Sequence, residues 1–472
     1  MTVLARAPFL AVLAGLVVAM GVEERAGAFG MTLLALFVTA GILLCSFIRE
    51  RGGQWPLFIL VLCLVLSASA RITFVLKRPL SCPLHVRAEG TVTEVRPWGR
   101  AHVAVLDTPH GGLLLRLPFA SLTEGTRLAA EGVSRPLRRS ARGEGFDEER
   151  FWGAYGVVAW LSPSRLEPTL EQPWNIHRLR FEVSRFLVIH LPDRTGAYLR
   201  AAWTGQRDEA LNEAHRAWGT AHLLAVSGFH VGIVVLCASS LLRRARLRPL
   251  WISLLLWGYV LLTGGAPSAL RAGLMIQAAL LGELLGRPSS SVNSVALAAV
   301  CLLCFSPRLF WNVGWRLSVL AALVIAAMHE EGSLKRTWFW LGLSPAVWLA
   351  TFPQAAYVFE GVPLAGLLLN LFAPGFFAFA LPLASLVVVL YLMGLPWAPW
   401  LLEAVEGAFI LWEKLADLLL GIIPWSVAWG PFLSWCGTGF VFLCLCRAMR
   451  LPWLRTLWLM LLGSLTAFLI FL

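Results

Sequence analysis

Lysine is nearly missing from this 472-residue chain: among its 39 Lys and Arg residues only Lys77, Lys335 and Lys414 are lysine. None of the three follows a glycine, which excludes the Gly-Lys-Ser/Thr phosphate loop of an ATP-driven motor. Charge of either sign is also scarce. Asp, Glu, Lys and Arg make up 14% of the residues, against about a quarter in an ordinary soluble protein. The His residues, His85, His102, His110, His177, His190, His215, His222, His230 and His329, form no cluster with acids of the kind a metal nuclease needs. Of the nine Cys, eight lie in apolar runs and Cys82 stands alone beside a polar segment, so no disulfide is expected there. Cys301 and Cys304 have CxxC spacing, but an apolar helix makes them small core residues rather than a redox or metal pair. No metal and no cofactor is expected.

What fills the chain is hydrophobic sequence, 58% of it, which points to a polytopic α-helical membrane protein. The net charge of +12 is explained largely by the Arg that fixes loop orientation in such proteins. Three apolar runs, 8–22, 29–48 and 55–76, make residues 1–80 a group of N-terminal transmembrane helices, the first retained rather than cleaved. Arg49 and Arg51 place the second loop in the cytoplasm, so the third span delivers residue 80 and beyond to the outer side.

Residues 81–170 differ in character. Val92-Thr93-Glu94-Val95, His102 to Leu106 and Leu113 to Leu117 read as short strands, separated by turn signals at Pro97-Trp98-Gly99, Thr108 to Gly112 and Thr123-Glu124-Gly125. Five or so strands in this length predict an inserted small β-barrel, an OB-fold being the natural candidate. Such a barrel binds single strands through stacking aromatics and a basic groove. Trp98 and Phe119 are the candidate stacking residues, and Arg135, Arg138, Arg139 and Arg142 the basic run, although acidic residues nearly balance the basic ones here. Residues 171–220 read as amphipathic interfacial helices: Ile176, Leu179, Val183, Phe186 and Leu187 share one face, with Arg178, Arg180 and Arg185 on the other.

Residues 221–472 read as a polytopic domain that opens on Ala221-His222-Leu223-Leu224-Ala225-Val226-Ser227-Gly228-Phe229-His230-Val231-Gly232. On one helix His222, Ser227 and His230 share a broad face, and polar groups at membrane depth usually face a bundle interior or a water-filled path. Gly228 and Gly232 make a small-xxx-small pair suited to a close helix neighbour. Arg243, Arg244, Arg246 and Arg248 mark a cytoplasmic loop. Further apolar runs lie at 249–263, 267–286, 291–306, 310–328, 338–359, 363–391, 402–423, 431–448 and 452–471. Thr263-Gly264-Gly265-Ala266-Pro267-Ser268 breaks the backbone just before Arg271, as is tolerated where backbone lines a cavity. Arg271 and Arg316 are the candidate intramembrane phosphate contacts, because the guanidinium fork suits phosphate geometry.

The run Arg216-Ala217-Trp218-Gly219-Thr220-Ala221-His222-Leu223-Leu224-Ala225-Val226-Ser227-Gly228-Phe229-His230-Val231 resembles the signature of the ComEC competence proteins. Ala266 to Met275, Gly366 to Asn370, and Asn312 to Ser318 (with Arg316 where the family usually has Gln) are similar to further ComEC segments. So are Gly145 to Val157 and Gly205-Gln206-Arg207, the last with Gln206 in place of an Asp. The resemblance implies a multi-pass channel of the bacterial inner membrane that carries single-stranded DNA into the cytoplasm during natural transformation, with an OB-like domain at 81–170. Channel-lining positions would be His222, Ser227, Gly228, His230, Arg271 and Arg316. Partners would be single-stranded DNA, membrane lipid, a separate nuclease, a DNA receptor and a cytoplasmic translocase, with a homo-oligomer left open. No metal cluster follows the apolar runs, so the resemblance is to a short member without a C-terminal metallo-β-lactamase-like domain, and not an enzyme. A transporter of a smaller anion or a lipid-linked substrate is the alternative. An intramembrane hydrolase, with Ser227 as nucleophile and His222 or His230 as base, lacks an acidic partner nearby.

Overall fold

The computed structural model describes residues 85–98, 101–117, 122–138, 147–169, 173–286, 290–331, 336–428 and 436–448, with a few helical positions between Phe9 and Val17. The expected spans at 29–48, 55–76 and 452–471, together with Cys82, Phe119, Arg139 and Arg142, lie outside the described residues. The protein is mostly helical with one closed five-stranded barrel. Two compact units divide it: Met1–Arg78, Arg271–Leu371 and Ile423–Leu472 form one, Pro79–Leu270 and Phe372–Ile422 the other.

The barrel belongs to the second unit. Its strands are β1 (His85–Trp98), β2 (Ala101–Thr108), β3 (Gly111–Leu117), β4 (Arg127–Pro136) and β5 (Val157–Pro168), closed in the order β1-β2-β3-β5-β4. All pairings are antiparallel except β3–β5. β1 is long enough to pair with β4 through its first half and β2 through its second, with a bulge between Val92 and Glu94 that turns the strand. Val92, Leu106, Leu115, Leu128 and Leu161 fill the interior. Val103, Val105 and Leu114 point the other way and are also buried, under Trp152. That two-sided burial is why β2 and β3 read as near-continuous apolar runs rather than as alternating ones. Trp152 sits on α1 (Glu148–Gly153), whose N-cap Asp147 accepts from the Arg150 amide at 2.8 Å.

After the barrel the chain continues with α2 (Ile176–His190), α3 (Asp193–Thr204), α4 (Glu209–Ala217), α5 (Ala221–Leu224), α6 (Gly228–Leu241) and α7 (Arg248–Leu262), all in the second unit. Next come α8 (Pro267–Leu284), α9 (Ser291–Phe305), α10 (Val313–Glu331), α11 (Arg336–Val358), α12 (Ala365–Leu392), α13 (Ala398–Ile422) and α14 (Cys436–Ala448). They track the expected apolar runs closely, and α7 and α8 are separated by the expected break, where Gly264 and Gly265 take φ of +78° and +64°. Val313–Glu330 and Ala365–Leu392 are long and apolar enough to cross a membrane, whereas α6, α7 and α9 are apolar but shorter. In the first unit α10 packs on α9, α11 and α14, and Glu330 accepts from the Ser290 hydroxyl (2.6 Å) and Val292 amide (3.0 Å) at the start of α9.

The reading of α2 as a helix with an all-arginine outer face needs correction. Arg178 and Arg185 are exposed, but Arg180 is only 8% exposed and grips Glu124, 3% exposed, with Nε and Nη2 each 3.0 Å from a carboxylate oxygen. Glu124 lies in the β3–β4 loop. Beside it Gly125, at φ +83°, lies so close to the Arg178 backbone that a Cβ would not fit, and its carbonyl accepts from Asn175 Nδ2 at 2.9 Å. The Glu124 carboxyl is raised above its usual range by burial, which outweighs the opposing pull of Arg180. The barrel and α2 thus share one buried ion pair.

Candidate functional site

The stretch expected to be one helix is not one. α5 ends at Leu224, Ala225 is extended (φ −70°, ψ 135°), and α6 starts again at Gly228 with Ser227 as its N-cap (φ −126°, ψ 171°). Ser–Gly followed by a side-chain acceptor at the third helical position is itself a helix-start signal, and His230 supplies that acceptor. The Ser227 amide donates to His230 Nδ1 (3.4 Å), and Ser227 Oγ lies 3.2 Å from the same nitrogen. His222, Ser227 and His230 therefore do not line one helix face. Ser227 and His230 meet at the break, while His222 is exposed on α5. The Val226 carbonyl left free by the break accepts from the Ser268 hydroxyl. Nor does Gly232 receive a close neighbour: a Cβ there meets open space among the described residues.

Ser227 and His230 stand as a nucleophile and base would, but no carboxylate among the described residues bonds to His230, and no Asp or Glu occurs between Glu213 and Glu283. The geometry is that of a helix cap.

In the preceding helices a buried polar chain was not foreseen. Tyr198 OH lies 2.9 Å from His215 Nε2, and His215 Nδ1 lies 2.9 Å from Thr220 Oγ1, with His215 and Thr220 fully buried. Tyr198 stacks on Phe409 of α13. Glu406 accepts the Arg194 and Thr195 amides at the start of α3, at 2.9 and 2.7 Å. Glu413 pairs with Arg194 at 2.8 Å, and Asp417 accepts from Trp218 Nε1 at 2.7 Å. Glu406, Glu413 and Asp417 of α13 thus serve α3 and the signature's Trp218. Asp208, two residues beyond Gln206, caps α4 through the Leu211 amide.

Burial, with a smaller contribution from His222, pushes the His215 pKa down to about 4, against the hydrogen bond of Thr220. The unfolded His, with an ordinary value of 6.5, binds a proton between those values that the folded one does not, so this stabilisation is complete above about pH 6.5 and lost as pH falls toward 4. The full chain in detergent should lose up to about 3 kcal/mol over that interval, read as a falling melting temperature. His215→Gln should flatten the slope, and an equal slope in the variant would assign it to another group.

Arg271 occupies the first turns of α8. It is only 6% exposed, and its Nε and Nη1 are buried without a hydrogen-bond partner among the described residues. A buried guanidinium left in this state is costly and calls for an anion. Arg316, in the first turn of α10, is half-buried and already engaged within the protein. The two arginines, of which Arg316 is the weaker candidate in sequence because it stands where the family usually has Gln, are unequal in the structure.

On the barrel, Trp98 does not stand free as a stacking residue. It packs on Trp152 (ring centroids 5.3 Å apart) and Phe151 (6.0 Å). Tyr155, 42% exposed, is the aromatic of this cluster that reaches the surface, and Arg96 lies over Trp152 and Tyr155 at 4.7 and 5.5 Å while paired with Glu94. Arg135 and Arg138 are exposed; Arg135 donates to Ser162 Oγ at 3.3 Å, and the Arg138 backbone is tied to Glu148. Neither Arg96 nor Tyr155 was marked by sequence spacing, since what distinguishes them is their convergence on Trp152 from opposite ends of the domain.

The profile of the competence protein family matches residues 202–453, more than half of the chain. The chain belongs to the ComEC family of competence proteins. It is 30% identical over 213 residues to ComE operon protein 3 of Bacillus subtilis (strain 168), covering 43% of this chain and 27% of that one. The uncharacterized protein YcaI of Escherichia coli (strain K12) is 28% identical over 246 residues, 45% of this chain and 30% of that one. An uncharacterized protein of Aquifex aeolicus (strain VF5) is 30% identical over 163 residues, 34% and 40% respectively. The chain therefore spans well under half the length of these relatives. No solved structure matches it.

Proposed function

We propose that this competence-family chain is a multi-pass protein of the bacterial inner membrane that conducts single-stranded DNA, with an OB-like barrel at residues 81–170 outside the cytoplasm. The observation that carries the reading is Arg271: a buried cation with two nitrogens unpaired among the described residues, on an apolar helix that begins just after the Gly264–Gly265 break. A single strand brings one negative charge per nucleotide, so a path through lipid must offer cations or water. The strand order of the barrel and its exposed Tyr155, Arg135 and Arg138 support weak, salt-sensitive contact with a strand. Arg271 ranks above Arg316 as the phosphate contact, and the polar break at Ser227 and His230 lines the path. A nuclease, a receptor and a cytoplasmic translocase would be separate proteins.

The direct test is uptake of fluorescently labelled DNA by cells lacking the protein and complemented with variants. Ser227→Ala removes one helix-cap oxygen, worth about 1 kcal/mol of local stability, and should retain most uptake. Ser227→Leu fills the break and should abolish uptake at normal protein level. If Ala is as damaging as Leu with normal expression, the hydroxyl itself is needed and the hydrolase reading gains. Unchanged DNA uptake without the protein would leave a smaller anion as the cargo.

A further inference from the structure

The α6–α7 hairpin ends in a turn whose charge nothing in the described protein answers. Arg243, Arg244 and Arg246 are exposed and Arg248 is half-buried, four guanidinium groups within six residues. None of the four has an ion pair among the described residues, and no Asp or Glu occurs in the sequence from Ala214 to Gly282. The sides of the hairpin are apolar and open: Leu236 and Leu241 are 68% and 85% exposed, and Leu247, Leu250, Trp251 and Leu254 are all about half exposed. Its root is the opposite end, where Ser268 bonds the Val226 carbonyl and the Tyr259 hydroxyl bonds the Ala202 carbonyl.

Length decides where such a tip comes to rest. α6 and α7 have 14 and 15 residues, so each is about 22 Å long, short of a hydrocarbon core of about 30 Å. A short apolar element in a bilayer is accommodated by local thinning and by flanking side chains that reach for the headgroups. Arginine does this well, keeping its methylenes in the apolar layer and its guanidinium among phosphates. Trp251, one turn into α7, is the residue type that settles at that boundary.

We infer that the α6–α7 turn is a binding site for anionic phospholipid headgroups, with Arg243, Arg244 and Arg246 on the phosphates and Leu241, Leu247 and Trp251 in the adjoining acyl layer. The inference rests on the membrane placement proposed above, but not on DNA as the cargo. Bound anionic lipid fixes the free tip of the hairpin, while the Ser268 contact to the Val226 carbonyl fixes its root beside the Ser227 cap.

The test uses the full chain, purified in mild detergent and stripped of lipid, titrated with phosphatidylglycerol or phosphatidylcholine, with bound lipid counted by native mass spectrometry. An arginine near an anionic surface is worth about a fivefold gain, so three give roughly a hundredfold preference for phosphatidylglycerol. That preference should vanish in the triple variant Arg243→Gln, Arg244→Gln, Arg246→Gln and persist in the corresponding triple Lys variant. An unchanged preference in the Gln variant, or its loss in the Lys variant as well, overturns the site. An oligothymidylate should not displace the lipid; displacement that depends on these arginines would assign the turn to the DNA path instead. Carbonate washing of membranes separates the two levels. Release of the protein sinks the membrane placement, whereas retention without lipid preference sinks only the headgroup site.

Discussion

Cells carrying Arg271→Met should take up DNA at least tenfold more poorly than wild type, while the variant protein is as stable as the parent or more so. The two effects have opposite signs for one physical reason. In the folded chain Arg271 is buried with Nε and Nη1 unpaired among the described residues, so in the absence of an anion its charge opposes folding. An apolar side chain of similar length removes that opposition; even a buried ion pair, whose charges answer each other, can be replaced by apolar residues with a gain of about 1 to 4 kcal/mol. A charge-assisted hydrogen bond to a phosphate is worth about 1.5 to 3 kcal/mol, which corresponds to a ten- to hundredfold loss when it is deleted. Labelled-DNA uptake and thermal unfolding of the purified chain read the two quantities separately. A residue that only braces α8 would lose stability and uptake together, and that result would remove Arg271 from the path. Arg316, already engaged inside the protein, should on the same substitution lose stability.

Much of this architecture was legible because its signals are local. The strands of the barrel follow from apolar pattern and turn residues, and the α7–α8 break from two adjacent glycines before a proline. The family followed from one dense run of residues. The errors arose where a partner is far away in sequence. Arg180 looks like a solvated charge on an amphipathic helix until Glu124, 56 residues earlier, folds against it. Trp98 looks free until α1 brings Trp152 and Phe151 beneath it. The break inside the signature was a different kind of miss. The apolar flanks suggested one helix, while Ser227-Gly228 with His230 in third place carried a start signal that outweighs propensity. Arg316 ranks below Arg271 in sequence only because it stands where the family usually has Gln; the physical difference, which guanidinium already has a partner inside the protein, is not written locally.

Replacing Arg180 by Met should destabilise the chain by about 3 to 5 kcal/mol near pH 8, the cost of leaving a buried charge without its partner. Glu124, 3% exposed, would keep only the Val95 amide, 3.3 Å away, as a donor. Its folded pKa, already above the usual 4.5 through burial, rises further once Arg180 no longer opposes that effect. The folded state then holds a proton that the unfolded state releases, so the group's stability is fully present below about pH 4.5 and is lost as pH rises through the folded value. The variant should accordingly lie much closer to wild type at pH 5 than at pH 8. Adding Glu124→Gln should recover most of the loss at pH 8, because what harms the single variant is the stranded carboxylate rather than the missing guanidinium. Thermal unfolding of the four chains at both pH values completes the cycle. Position makes the result bear on more than the barrel: Nη1 of Arg180 lies where a side chain on Gly264 would have to be, in the turn between α7 and α8. Arg180 thus touches both the barrel loop and the backbone break that precedes Arg271. If Arg180→Met proves neutral at pH 8, or the double variant is no better than the single, the pair is not what joins the barrel to α2, and the link from barrel to break fails with it.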